Sequence, residues 1–170
     1  MLISLLLLAA APAPAQADPL APAREGKYQC VVPNLEKKTC VGTTRYRLIP
    51  GGYGATTSLL LAPNPLITME MHTSGKLTGD QLCETVKLAD FQAGTVMLNG
   101  APADDATSGV VKSQLATAVS PLDGKVACST FVPGEDGLFL NQVTLDGAIR
   151  SDLSQNFIWV SEEDGYTLGM

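Results

Sequence analysis

Asparagine or aspartate followed by glycine occurs five times in this chain, at Asn99-Gly100, Asp123-Gly124, Asp136-Gly137, Asp146-Gly147 and Asp164-Gly165. Such pairs tolerate positive φ and close tight turns. Most of them separate short runs of β-branched and alternating residues, so the chain reads as strands that repeatedly turn back on one another. This punctuation restricts the fold to an antiparallel, sheet-dominated architecture.

The runs can be placed individually. Residues 39–49 set Cys40, Tyr46 and Leu48 on one face and Thr43, Arg45 and Arg47 on the other, and "PGGYG" supplies the following turn. Strands over 56–61 and 66–73 flank "APNP", whose prolines cannot sit inside a central ladder. Further strands are expected over 125–132, 138–145 and 157–160. Residues 82–88 are read as a strand because Leu82, Val86 and Leu88 fit alternation, although Thr78 and Gln81 form a capping-box pattern. One segment departs from this period. Between 104 and 120, Val111, Leu115, Ala118 and Val119 recur at helical spacing, with Asp104 and Asp105 at the start and Pro121 at the end. The expectation is an α+β fold, antiparallel and β-dominated, with one main helix over about 104–120 packed on a sheet face. "TCVGTTRY" and "ACSTFVPGEDG" share a cysteine followed by a glycine turn and nothing more, so no internal duplication is inferred.

Residues 2–8 are almost unbroken aliphatic and lead into "APAPAQA", the pattern of a secretory signal peptide over 1–17 with cleavage before Asp18. The apolar stretch falls short of the roughly 20 residues a membrane-spanning helix needs, and no cysteine near the cleavage point would take a lipid. The chain is therefore expected to be exported, periplasmic or secreted, without a membrane span. "DPLAPAREG", residues 18–26, is rich in proline and alanine and reads as a flexible leader. Residues 27–170 then form a single exported domain, since the 153 residues that remain after cleavage suit one core rather than two.

In an oxidising compartment the four cysteines, Cys30, Cys40, Cys83 and Cys128, are expected to form two disulfides rather than ligate a metal. Three connectivities exist. The local one, Cys30 with Cys40 and Cys83 with Cys128, is the expectation. By loop entropy these bridges would stabilise by about 3 and 4 kcal/mol, a large part of a small domain's net stability.

The only histidine, His72, lies in "ITMEMHTSG". Alternation puts Ile67, Met69 and Met71 on one strand face and Glu70 and His72 on the other, where a carboxylate beside an imidazole could orient a base. No G-x-S-x-G elbow offers a nucleophile, so Glu70 and His72 are catalytic candidates only for the alternative reading, a small secreted or periplasmic hydrolase that uses this pair or paired carboxylates. Paired acids (Asp104 and Asp105, Glu135 and Asp136, Glu162 to Asp164) fall at turns and a helix start, where capping and turn formation account for them. The spacing of a calcium loop is missing, phosphate-loop glycines are absent, and neither metal nor cofactor is expected.

The net charge of −6 is unevenly distributed. Residues 24–47 carry +4 and residues 101–170 carry −7, a pairing expected to meet within one fold. The net negative field argues against nucleic acid as a partner. In the hairpin "RYRLIPGGYG", Arg45, Arg47 and Tyr53 combine guanidinium donors with an aromatic ring, the best ligand-binding candidate for an envelope component or a small anionic or sugar-like molecule. On these grounds the chain is expected to be a small exported, disulfide-stabilised binding or envelope-associated accessory module without catalysis.

Overall fold

The structure, a computed structural model, describes residues 18–170. The signal peptide expected over 1–17 lies outside the described residues. Five consecutive strands follow a short helix α1 (Ala21–Arg24): β1 (Tyr28–Asn34), β2 (Thr39–Ile49), β3 (Gly52–Pro63), β4 (Leu66–Thr78) and β5 (Gln81–Thr85). Each pairs antiparallel with the next. The chain then makes an excursion through α2 (Leu88–Ala93), β6 (Thr95–Leu98), β7 (Ala101–Pro102) and α3 (Asp105–Val119). It returns in β8 (Val126–Pro133), β9 (Phe139–Leu145), β10 (Ala148–Ile149) and β11 (Gln155–Val160), and ends in β12 (Thr167–Leu168).

β5 pairs with β8, β8 with β9, β9 with β11, and β11 returns to β1. The sheet therefore closes on itself as a barrel, which removes the unpaired edges an open sheet would present. Tight turns make this economical. At Asn99-Gly100, Asp136-Gly137 and Asp146-Gly147 both residues have positive φ, the geometry that matches the twist of the flanking strands.

Both expected disulfides form. Cys83 and Cys128 are direct cross-strand partners on β5 and β8, with Cα atoms 4.1 Å apart. Cys30 bonds Cys40 across β1 and β2, where β1 departs from extended geometry at Val32, φ 49°. The expected helix is present as α3, with Asp104 as its N-cap accepting from the Thr107 N–H at 2.7 Å. Its Val111 and Leu115 pack against Met69 and Met71 of β4 and Val96 of β6.

Two expectations need correction. The strand read over 82–88 ends at Thr85, and Leu88 opens α2 instead. The Leu88 N–H is satisfied by Asp123 Oδ1 at 2.7 Å, a partner 35 residues away that no local pattern reveals. Order also reaches back past Lys27 to Asp18, into the segment expected as a leader. Asp18 accepts from the Leu20 N–H and from Arg24 Nε, and Leu20 is 0% exposed among Tyr53, Ala55 and Leu82. A single well-placed leucine is enough for this, and it leaves no periodic signature.

A third cluster, Tyr28, Cys30, Cys40, Ile158 and Val160, is packed against by Tyr166 from the C-terminal segment. Here the basic and acidic ends of the sequence meet. Arg45 lies 2.6 Å from Glu162 with its guanidinium over the Tyr28 ring, and Lys38 Nζ donates to the Asp164 carbonyl at 3.1 Å. Among the described residues, no helix is long and apolar enough to cross a membrane.

Candidate functional site

Alternation sends every second residue of each barrel strand inward. An interior filled by apolar side chains would be an ordinary core. Here the strand positions change character along the barrel: Leu82, Phe131 and Trp159 share one apolar cluster with Leu20 of the N-terminal segment, and Met69 and Met71 share another with Phe91 of α2 and Leu115 of α3. A chamber of about 210 Å³ is lined by amides, hydroxyls and one acid together with the apolar side chains of Val31, Ala55, Leu59, Leu82 and Ala127. Gln29 enters it from β1, Thr44 from β2, Thr57 from β3, Thr73 from β4, Ser129 from β8 and Asn141 from β9.

Register explains how residues so far apart in sequence converge. Gln29 is opposite Thr44, Thr44 is opposite Thr57, and Ser129 is opposite Val143, the next inward residue after Asn141. Some of the polar groups satisfy each other: the Tyr46 hydroxyl donates to Gln29 Oε1 at 3.1 Å, and the Thr44 and Thr57 hydroxyls share a hydrogen bond of 3.2 Å. Others do not. Gln29 is only 3% exposed, yet its Nε2 has no partner among the described residues, and the buried Oδ1 of Asn141 has none there either. A buried amide left without a hydrogen bond costs about 1–3 kcal/mol, so an unmatched donor and an unmatched acceptor in one chamber call for an explanation.

Tyr46, Tyr53, Gln155 and Glu84 also line it. Burial pushes both phenols well above the ordinary tyrosine value, with the charge of Glu84 adding to the rise in each. Glu84 is itself raised, chiefly by desolvation, while a hydrogen bond from Thr73 and the more remote Lys87 oppose the shift. Among the described residues it is the only charged one lining the chamber.

Beside Glu84 the barrel wall is incomplete. On one edge, β4 bonds β6 over Ile67 to Glu70 and β5 over Lys76 to Thr78, which leaves positions 71–75 without a strand partner there among the described residues. An outer groove of about 480 Å³ borders this interval, lined by Ser74, Gly75, Lys76, Glu84 and Lys87 among others. Glu84 thus borders both the groove and the chamber.

The residues singled out in the sequence lie elsewhere. Glu70 and His72 share the outer face of β4, as alternation required. His72 Nε2 is 3.6 Å from Glu70 Oε1, and His72 Nδ1 is 3.0 Å from the Thr56 hydroxyl. The group is a hydroxyl, an imidazole and a carboxylate in line, but the His72 side chain is 72% exposed and lines neither cavity. Arg45, Arg47 and Tyr53 are not brought together: both arginines are exposed on β2, whereas Tyr53 is 3% exposed and lines the interior chamber. Arg45 is also engaged with Glu162 and Tyr28. Of the acidic clusters, Asp104 caps α3, Asp136 sits in a turn, and Asp164 accepts from both the N–H and the hydroxyl of Ser161, which hold its carboxyl below its usual range. Among the described residues no group of three or more histidine, cysteine or acidic side chains is placed to hold a metal.

The chamber residues were missed although the sequence carries a trace of them. Asn141 interrupts the inward series Phe139, Val143 and Leu145, and Glu84 stands between Leu82 and Val86. A polar residue at a core-facing position of a strand is the readable signal. In comparison with known proteins, the chain matches no family model, no curated protein and no solved structure.

Proposed function

We propose that this protein is an exported, non-catalytic binding module whose barrel encloses a small polar molecule. The observation that carries the reading is the pair of unmatched buried groups, Gln29 Nε2 and Asn141 Oδ1, in one chamber. A ligand offering one acceptor and one donor would satisfy both. At about 210 Å³ the chamber falls below the roughly 300 Å³ at which sites for drug-sized ligands begin, so the occupant is of sugar or amino-acid size. The two disulfides support an oxidising compartment. The binding surface moves from the outside of the β2–β3 hairpin to the barrel interior, with Tyr53 the one residue common to both.

The test is a screen of small polar fragments by ligand-detected NMR against wild type and Ala127→Leu, which extends a side chain into the chamber, with matched thermal melts. Binding to wild type that is lost in the folded variant supports the reading. Hits that persist in Ala127→Leu and vanish on replacing Arg45 and Arg47 with glutamine would return the site to the outer hairpin.

The hydrolase alternative rests on the alignment of Thr56, His72 and Glu70. Thr56, Glu70 and His72 line neither the chamber nor the groove, and an acyl-transfer site draws much of its rate from a concave, water-excluding setting.

A further inference from the structure

The charge inside the barrel narrows the ligand further, and this step rests on the reading of the chamber as a binding site. Glu84 is partly buried and takes part in none of the ion pairs found among the described residues. Among the described residues no lysine or arginine lines the chamber. Lys76 and Lys87 line the outer groove instead, and the field of Lys87 on Glu84 is outweighed by that of Asp90. A carboxylate so placed bears a desolvation cost that the Thr73 hydroxyl and, less strongly, Lys87 offset in part.

We infer that the ligand is a small primary amine carrying a neighbouring hydroxyl or carbonyl oxygen, its ammonium held by Glu84 and Asn141 Oδ1 and its oxygen accepting from Gln29 Nε2. Each contact pairs a group the chamber leaves incomplete with the complementary ligand atom. An ammonium donates three hydrogen bonds and neutralises the one internal charge. Tyr46 and Tyr53, whose rings meet edge to face at 5.6 Å, line the same chamber and favour a cation over an anion through their ring quadrupoles. A small anion would meet the Glu84 charge with no cation to offset it. Entry past Glu84 is consistent with the interval in β4 where the wall has no strand partner.

The experiment is a fragment screen by ligand-detected NMR and titration calorimetry with primary amino alcohols, neutral polyols and hydroxy acids of matched size, against wild type, Glu84→Gln and Ala127→Leu. The expected result is that amino alcohols dominate the hits, compete for one site lost in Ala127→Leu, and bind Glu84→Gln at least about tenfold more weakly, as removal of a charge-assisted hydrogen bond predicts. Should Glu84→Gln fail to fold, the bias of the wild-type hits among the three classes decides. Polyols or hydroxy acids binding the chamber as well as amines, or a folded Glu84→Gln with unchanged amine affinity, would overturn the amine inference and leave the binding chamber standing. If no fragment of any class binds in the chamber, both readings fail together.

Discussion

Tyr53 and Gly75 are direct cross-strand partners on β3 and β4, and the phenol of Tyr53 occupies the space a side chain at Gly75 would need. A Cβ built on Gly75 would lie 2.5 Å from the Tyr53 hydroxyl oxygen and 2.5 Å from the Cys83 carbonyl oxygen. The glycine is required here by close approach: the strands come together where the wall is about to part, and the aromatic ring covers the bare backbone.

Gly75→Ala is therefore expected to destabilise the fold by about 1–3 kcal/mol or more, the usual cost of overpacking against backbone and ring. Chemical denaturation of wild type and variant checks it. Gly109→Ala, where a Cβ meets nothing within 4 Å on the exposed side of α3, is the control and should be stabilising, by roughly 1 kcal/mol from helix propensity.

Leu20→Ala should cost about 2–5 kcal/mol, as for other fully buried leucines, even though it lies near the start of the described chain. The same measurement on a variant lacking residues 18–26 should show a loss at least as large. A leader merely attached to the barrel would leave both transitions unmoved.

Glu84→Gln is expected to raise stability near neutral pH. The folded carboxyl has its pKa raised by burial, so the native state holds its proton more tightly than the unfolded chain. Stability tied to this group is present below the unfolded pKa and is lost as pH rises through the folded one. The advantage of glutamine should accordingly vanish in acid and grow toward neutrality. Thermal melts across that range decide it, and a gain independent of pH would show that packing rather than charge is responsible.

His72→Ala should change stability by less than about 0.5 kcal/mol, since it removes one exposed hydrogen bond to Thr56 and a loose contact with Glu70. Complementation of a deletion strain by the folded variant is the functional counterpart. Failure to complement would bring the Thr56, His72 and Glu70 group back as a functional site.

Local chemistry determined a good deal by itself. Asx-Gly turns, strand alternation and the helical spacing of Val111 and Leu115 specified antiparallel strands and α3, because backbone sterics and face periodicity act over a few residues. The cysteine pairing was the expected local one of three connectivities, which asks least rearrangement of neighbouring strands. The face shared by Glu70 and His72 was legible for the same reason. Closure of β11 onto β1 was not, since pairing Tyr28 with Val160 depends on accumulated twist and register around the whole ring. The capping of Leu88 by Asp123 and the burial of Leu20 likewise depend on contacts distant in sequence. The site followed the same division. Arg45, Arg47 and Tyr53 are close in sequence, but a barrel wall has two sides and alternation separates them. Gln29, Glu84 and Asn141 are far apart in sequence, and only the closed barrel turns them toward one chamber.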